Sequence, residues 1–435
     1  MDRPNACTNT ARGVPRMHAP NRLQLDPNPK TIEELIPQDH SARLVWELVE
    51  GLDMTPLYDQ IRAVEGHPGR TPIDPRILTA LWLYATIEGL ACARELERRC
   101  YDCDPFKWLR GGVDVNYHTL SDFRTEHGAW LEQQVVAVVA AMRAEGLIDL
   151  NHVGQDGLRV RASAGSGSFK KEEKLDERLT EAQQQWDRLE TEFQSGSRGS
   201  PRQQAARARA ARERLERLRR AKEEVHKVQA SREARKKGDG TQARASTTDP
   251  EARRMKMPDG GFRPAYNVQF ATTLDTLVIV GADVTNAGSD GGQMDPMVER
   301  IAVQQGALPQ EYYTDGGFST KEDIEQVGQR GVVVYTPVKE AEQQQQEGKD
   351  PYAPRRGEGA ELTEWRQRMG TEEGQAKYKQ RTRCEWSNAA SRNRGLYGFV
   401  VRRLEKVKAV VWWYVLAQNL LRWVALRAER ALGAA

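Results

Sequence analysis

From Leu147 to Ser163 the sequence LIDLNHVGQDGLRVRAS alternates apolar and polar residues. A period of two is the signature of a half-buried strand. This strand is expected to end near Asp156, with Gly157 supplying the turn. Two more strands are expected in AYNVQFATT and TLVIVGADV, joined as a hairpin at Leu274 and Asp275. Further on, EYYTDGGF reads as a strand running into Asp315 and two glycines, KEDIEQVGQRG as a helix and VVVYTPV as a strand. Strands interleaved with helices define an α/β fold with a mixed sheet.

The sheet pattern is interrupted between Ser168 and Gly238 by two highly charged runs with helical spacing. Leu175, Leu179, Trp186, Leu189 and Phe193 recur in the first, and Leu215, Leu218, Val225 and Val228 in the second. With SGSRGSP as the turn between them, the pair reads as an antiparallel helical hairpin projecting from the sheet. Its second arm, centred on RARAARERLERLRR, is strongly basic, which suits either a solvated arm or contact with DNA or a partner. Ahead of the sheet the period is helical from Thr31 to Gly146. Pro75 fits a first turn, and Thr119 with Asp122 has capping-box spacing for a long last helix. Short helices with tight turns fit a helix-turn-helix-like DNA-binding unit and any small bundle equally. The expected organisation is a flexible lead-in over 1–30, a helical domain over 31–147, a catalytic domain over 148–169 and 239–435, and a charged insertion over 170–238. A stripe of Leu404, Val407, Val411, Tyr414, Val415 and Leu421 is expected to pack one side of a final helix beginning after Phe399.

The net charge of +3 excludes a uniformly basic protein, so any meeting with phosphate must come from local basic faces. Cys7, Cys92, Cys100, Cys103 and Cys384 are odd in number and scattered, which argues against a disulfide framework and for a reducing compartment. Cys100 and Cys103 form a C-x-x-C without a second ligand pair, so buried or idle thiols are expected rather than zinc. With no run of eighteen apolar residues and no signal-peptide pattern, the expectation is a cytoplasmic protein without a membrane partner, nucleoid-associated when bound to DNA.

One stretch stands apart. In YKQRTRCEWSNAASRNRG, Tyr378 to Gly395, a single carboxylate, Glu385, stands among Arg381, Arg383, Arg392 and Arg394, and the stretch is expected to be helical throughout. Two other acids, Asp156 and Asp315, each precede glycine at a strand, where a side chain reaches the rim of a sheet. Three carboxylates brought together could hold two Mg²⁺ ions about 4 Å apart, the arrangement that serves phosphodiester chemistry.

These features resemble the bacterial insertion-sequence transposases of the DDE type, and most closely the eleven-eighty-two group of the insertion-sequence-five superfamily. The resemblance runs from about residue 31 to the C-terminus. It rests on PRILTALWLYATIEGLACARELERRCYDCDPFKWLRGG with HTLSDFR, on TTDPEARRMK and AYNVQ, on QDG and TDGGF, and on the spacing of Tyr378, Arg381, Glu385 and Arg392. Arg392 stands where the family usually has Lys, and WSNAA is more polar than the family's sequence there. The resemblance implies a ribonuclease-H-like catalytic domain in which Asp156, Asp315 and Glu385 are catalytic and bind Mg²⁺, with Mn²⁺ able to substitute. It implies that Tyr378, Arg381 and Arg392 bind DNA. It further implies a transposase that cuts the ends of an insertion sequence and transfers them to target DNA, with the terminal inverted repeats and the target as partners, working as a homo-oligomer on DNA.

Overall fold

The computed structural model describes residues 30–61, 71–194, 200–234 and 240–433. Nearly all of the expected lead-in, and most of the SGSRGSP turn, lie outside the described residues. The chain opens with helices α1 (Ser41–Glu50), α2 (Thr55–Tyr58), α3 (Pro75–Ile87), α4 (Ala93–Asp102), α5 (Asp104–Arg110), α6 (Tyr117–Glu126) and α7 (Gly128–Ala144). Pro75 occupies the first turn of α3, behind an Asp74 cap that accepts from the Arg76 N–H. The expected long last helix is two helices, because the backbone breaks at His127. The cap of α6 is Asn116, whose side chain accepts from the Thr119 N–H, so the Thr119–Asp122 pair lies inside the helix.

The sheet follows: β1 (His152–Arg161), β4 (Arg253–Lys256), β5 (Phe262–Thr273), β6 (Ile279–Thr285), β7 (Glu311–Thr314) and β8 (Val333–Tyr335). Its order is β4-β5-β1-β7-β8, with β6 also paired to β5. β1 is antiparallel to β5 and parallel to β7, so it joins the meander to the crossover half of a ribonuclease-H-like mixed sheet. The crossovers are α10 (Met294–Gln305), which lies between β6 and β7, and α11 (Lys321–Gln329), which lies between β7 and β8.

β1 does not stop at Asp156. It runs on to Arg161, pairing Asp156 with Phe270 and Gly157 with Gln269. Gly157 is therefore no turn residue: a Cβ there would lie 2.5 Å from Asp290 Oδ1, so glycine admits a buried side chain against the strand. The β5–β6 connection is also longer than a two-residue hairpin. It spans residues 274–278, with Leu277 at φ 60° and the Thr273 hydroxyl accepting from the Val278 N–H.

Between β1 and β4 a two-stranded ribbon of β2 (Phe169–Lys170) and β3 (Ala245–Ser246) closes the base of a hairpin formed by α8 (Glu172–Gln194) and α9 (Pro201–Ala234). The hairpin has its own small core of Leu175, Ala182, Leu215, Leu218, Ala221 and Val225, continued at the base by Ala243 and Ala245. Leu179 and Val228 pack partly against it. Trp186 lies under the Arg212 guanidinium, 5.6 Å from its ring centroid.

The C-terminal elements are α12 (Ala341–Gln346), α13 (Ala360–Gly370), α14 (Glu372–Lys379), α15 (Glu385–Asn393) and α16 (Leu404–Gly433). Residues 378–395 are not one helix, because a 3₁₀ turn over Gln380–Cys384 separates α14 from α15. As expected, α16 begins after Phe399, at Leu404, but it is buried nearly all round rather than along one stripe, with every residue from Ala409 to Leu420 buried. By length and composition it could cross a membrane, yet 72% of its most apolar window is buried inside the fold. It packs against α3, α6, α7 and β6, so the helical part and the sheet share one continuous core. Trp413 donates to the Arg124 carbonyl at 3.1 Å, and the Arg124 guanidinium is itself buried 4.5 Å from the Trp82 ring centroid. Burial lowers the Arg124 pKa to about 10.

Asn419 carries the clearest polar link between α16 and the sheet. Its Oδ1 accepts from the Ile279 N–H at 2.9 Å and its Nδ2 donates to the Ile279 carbonyl at 2.8 Å, where the β5–β6 register shifts. The side chain is fully buried. Asn419→Ala is expected to cost about 3 kcal/mol by orphaning both backbone groups. Asn419→Asp should cost at least as much, because a carboxylate accepts but cannot donate to Ile279. Chemical denaturation of the two variants measures this, and near-wild-type midpoints would show that the link does not hold the helix to the sheet.

Candidate active site

Side chains on β1 alternate between two faces. Gly154, Asp156, Leu158 and Val160 share the face covered by α15 and the 3₁₀ turn, whereas Gln155, Gly157 and Arg159 share the other. Asp156 is thus held mid-strand, not at a loop. Its Oδ2 accepts from Asn388 Nδ2 at 2.7 Å and its Oδ1 from the Gly157 N–H at 2.8 Å.

Asp315 follows β7 directly. The parallel register pairs Gln155 with Thr314, the last residue of β7, so Asp315 leaves the strand one step beyond the residue that precedes Asp156. Asp315 Oδ1 accepts from the Gly317 N–H at 2.8 Å, while its carbonyl accepts from the Phe318 N–H and the Thr336 hydroxyl. The TDGGF run is therefore a closed turn with its carboxylate fixed at the strand mouth.

Glu385 opens α15, with its side chain 53% exposed and 3.1 Å from the Arg381 guanidinium. Arg381 lies in the 3₁₀ turn, with its guanidinium 5.9 Å from the Tyr378 ring centroid. Arg392, seven residues beyond Glu385, is half-buried near the end of α15 and takes no side-chain partner among the described residues. Glu385, Asn388 and Arg392 follow the i, i+3, i+7 stripe of one helix face. The 3₁₀ turn reaches the sheet because β1 is glycine at 154: a Cβ there would stand 2.9 Å from the Cys384 Cβ. Cys384 is buried among the acids, and its thiol is pushed up first by burial and then by the Asp156 charge.

The three acids feel one another. The Asp156 carboxyl is raised from 3.8 to about 6, first by burial, then by the negative charges of Asp315 and Glu385, against the pull of the Gly157 N–H and Arg381. Among the described residues no group of three His, Cys, Asp or Glu side chains is gathered tightly enough to form a ready-made metal centre, and Glu385 faces Arg381 instead. The donor set nonetheless fits a hard divalent ion. It offers carboxylate oxygens, sets acids near enough to one another to raise the Asp156 carboxyl, and lies beside Asn388, whose buried Oδ1 has no partner among the described residues. At the C-x-x-C, Cys100 is buried, with its thiol pushed up to about 12 by burial, and Cys103 is half-buried.

Two features were not read from the sequence. Asn388 is signalled only by its i+3 position from Glu385 on an α-helix. On the opposite face of β1, the buried Asp290 accepts from Arg159 at 2.8 Å, Asn267 at 2.7 Å and Gln269 at 2.9 Å. A Cβ on Gly317 would lie 2.9 Å from Asp315 Oδ1 and 3.4 Å from Asp290 Oδ2, so this network abuts the Asp315 turn from behind. No local pattern marks Asp290, because its partners come from two strands.

Residues 30–126 match a family model described as a transposase domain, and residues 239–420 match one described as a transposase DDE domain. No curated protein and no solved structure matches the chain. The chain thus carries a match to a transposase domain followed by a match to a DDE transposase domain.

Two outcomes follow from this geometry. Because the folded-state pKa of Asp156 exceeds its unfolded value, the folded protein binds the extra proton and loses stability as pH rises between 3.8 and about 6. Asp156→Asn should therefore raise the metal-free unfolding free energy at neutral pH by on the order of 3 kcal/mol, seen as a higher melting temperature, and the gain should vanish well below pH 3.8. A gain of equal size at both pH values would show that the charge is not its cause. Separately, Gly157→Ala should destabilise by about 2 kcal/mol through the clash with Asp290, read as a lowered denaturation midpoint. An unchanged midpoint would mean that the Asp290 network yields without cost.

Proposed function

We propose that the protein is a DNA transposase that cuts the ends of an insertion sequence and joins them to target DNA. The observation that supports this reading is that Asp315 and Glu385, from distant parts of the chain, lie near enough for their charges to raise the Asp156 carboxyl. The spacing of Tyr378, Arg381, Glu385 and Arg392 supports its placement in the eleven-eighty-two group of the insertion-sequence-five superfamily.

Asp156, Asp315 and Glu385 would hold Mg²⁺, two ions by analogy with the family, with Mn²⁺ able to substitute. When bound, such ions supply Lewis-acid activation of the attacking oxygen and neutralise charge that develops on the phosphate. The remaining work belongs to the chain. Asp156 sits on β1 and Asp315 in the turn that directly follows the paired strand β7, so the sheet and that turn together set their separation. Asn388 orients the Asp156 carboxylate through its 2.7 Å hydrogen bond. Arg381 restrains Glu385 and, with Tyr378 and Arg392, would grip the terminal phosphates so that the reacting groups stay in line.

The test is a strand-transfer assay with the element's own terminal repeats. Asp156→Asn, Asp315→Asn and Glu385→Gln should each abolish cleavage and joining while leaving end binding within a few-fold of wild type, because affinity for DNA rests on phosphate contacts. Cleavage without joining by the wild-type protein would favour a plain nuclease instead. Wild-type activity in any of the three variants would remove that residue from the site.

A further inference from the structure

Two cavities flank the base of the hairpin on either side of Glu251, which lines both. The larger, of about 830 Å³, lies between α9, the β2–β3 ribbon and β4. The smaller, of about 510 Å³, lies between α9, the 248–251 loop and the segment before α16. α9 presents Arg217, Arg220, Glu224, Lys227 and Ser231 to them, a stripe at spacings of three and four that faces the sheet edge.

Their charge is unbalanced. Arg232, Arg244 and Arg254 line the larger cavity, and Arg217, Arg403 and Lys406 line the smaller. None of these six cations has an ion pair or side-chain hydrogen bond among the described residues. Most of the acids present are already engaged. Glu224 pairs with Lys227 at 2.7 Å and with Arg253. Glu251 accepts from the Leu404 N–H at 2.8 Å, and Asp249 accepts from the Tyr266 hydroxyl and the Arg403 N–H. Glu213 alone among the lining acids takes no partner among the described residues. Unpaired guanidinium groups clustered along a cleft are costly to keep together unless an anion joins them, and Arg is suited to phosphate oxygens.

The backbone links the acid site to the base of the hairpin. The chain leaves α15 and runs beside the end of β1, where the Arg161 N–H donates to the Tyr397 carbonyl and the Phe399 N–H donates to the Arg161 carbonyl. Tyr266 meets Phe399 edge-on with centroids 6.1 Å apart, and Tyr266 lies on the Asp156 face of the sheet. Arg403 follows, held at φ 79° by its backbone bond to Asp249. Five residues along a strand separate Asp156 from Arg161, about 17 Å, or about five steps of a DNA strand.

We propose that the two cavities form one phosphate-binding cleft for duplex DNA, holding the segment about half a turn from the reacting phosphate, so that the hairpin base acts as a clamp on the DNA rather than a solvated spacer. This rests on the DNA-processing reading, and the test separates the two. Binding of a random-sequence duplex of about 30 base pairs by the full chain would be followed by fluorescence anisotropy in EDTA at several salt concentrations. The combined variant Arg217→Gln, Arg254→Gln and Arg403→Gln should lower the magnitude of the log–log salt slope by about 2–3, as three released counterions require. Arg202→Gln with Arg209→Gln, towards the tip of the hairpin, should leave it unchanged. Should the triple variant fold poorly, the single exposed change Arg254→Glu must still weaken binding at low salt. If the wild type binds and the triple variant binds with the same slope, the clamp is wrong while the DNA-processing reading survives. If the wild type fails to bind any duplex, both fall. Loss of self-association with DNA binding intact would give the cleft to a second copy of the chain and overturn the proposal.

Discussion

A carboxylate in the middle of a central strand is the constraint on which the rest of this structure turns. Asp156 lies midway along β1, paired with Phe270 of β5 and one residue past the last pair with β7, so its backbone cannot shift as that of a loop aspartate can. Burial disfavours its charge and two further acids add to the penalty, which leaves the site under electrostatic strain in the absence of a cation. Such strain is a cost that folding alone would remove by substitution to a neutral residue. It makes sense where the charge has work to do.

The surrounding architecture serves to hold that carboxylate in place. Gly154 lets the Gln380–Cys384 turn come down onto the strand, which delivers Glu385 and Asn388 to the Asp156 face. Gly157 lets Asp290 press against the other face and brace the Asp315 turn. α16 then locks the sheet to the N-terminal helices through a common apolar core and the Asn419 bridge to β6. Missing side chains at two glycines thus let neighbouring elements close onto both faces of the strand that carries Asp156. The hairpin stands outside this arrangement with its own core, joined to the sheet at its base through Phe169 and the Glu224–Arg253 pair.

The mixed α/β class and the charged hairpin were legible from periodicity, because alternation at period two and recurrence at three and four are set by which face meets a core. The same reading placed the end of β1 at Asp156, since Asp-Gly is a common turn signal. The actual reason for Gly157 is a side chain arriving from residue 290, which no local pattern contains. The single helix expected over residues 378–395 failed for a related reason: Cys384 must be buried against Gly154, and a 3₁₀ turn achieves this where a straight helix would not. α16 was read as one-sided because its apolar positions were counted at helical spacing, whereas its intervening residues are apolar too and meet other helices. The spacing around Glu385 was informative and marked Asn388 only by its i+3 position, whereas Asp290 was invisible, because its partners come from two strands distant in sequence.

The most direct measurement is anomalous scattering from a crystal of the protein soaked in Mn²⁺. The account predicts anomalous density bounded by the carboxylates of Asp156 and Asp315, with the Glu385 carboxylate turned from Arg381 to share it. Mn²⁺ bound only elsewhere, with Glu385 still paired to Arg381 and no ion beside Asp156, would contradict the claim that these three acids make one site.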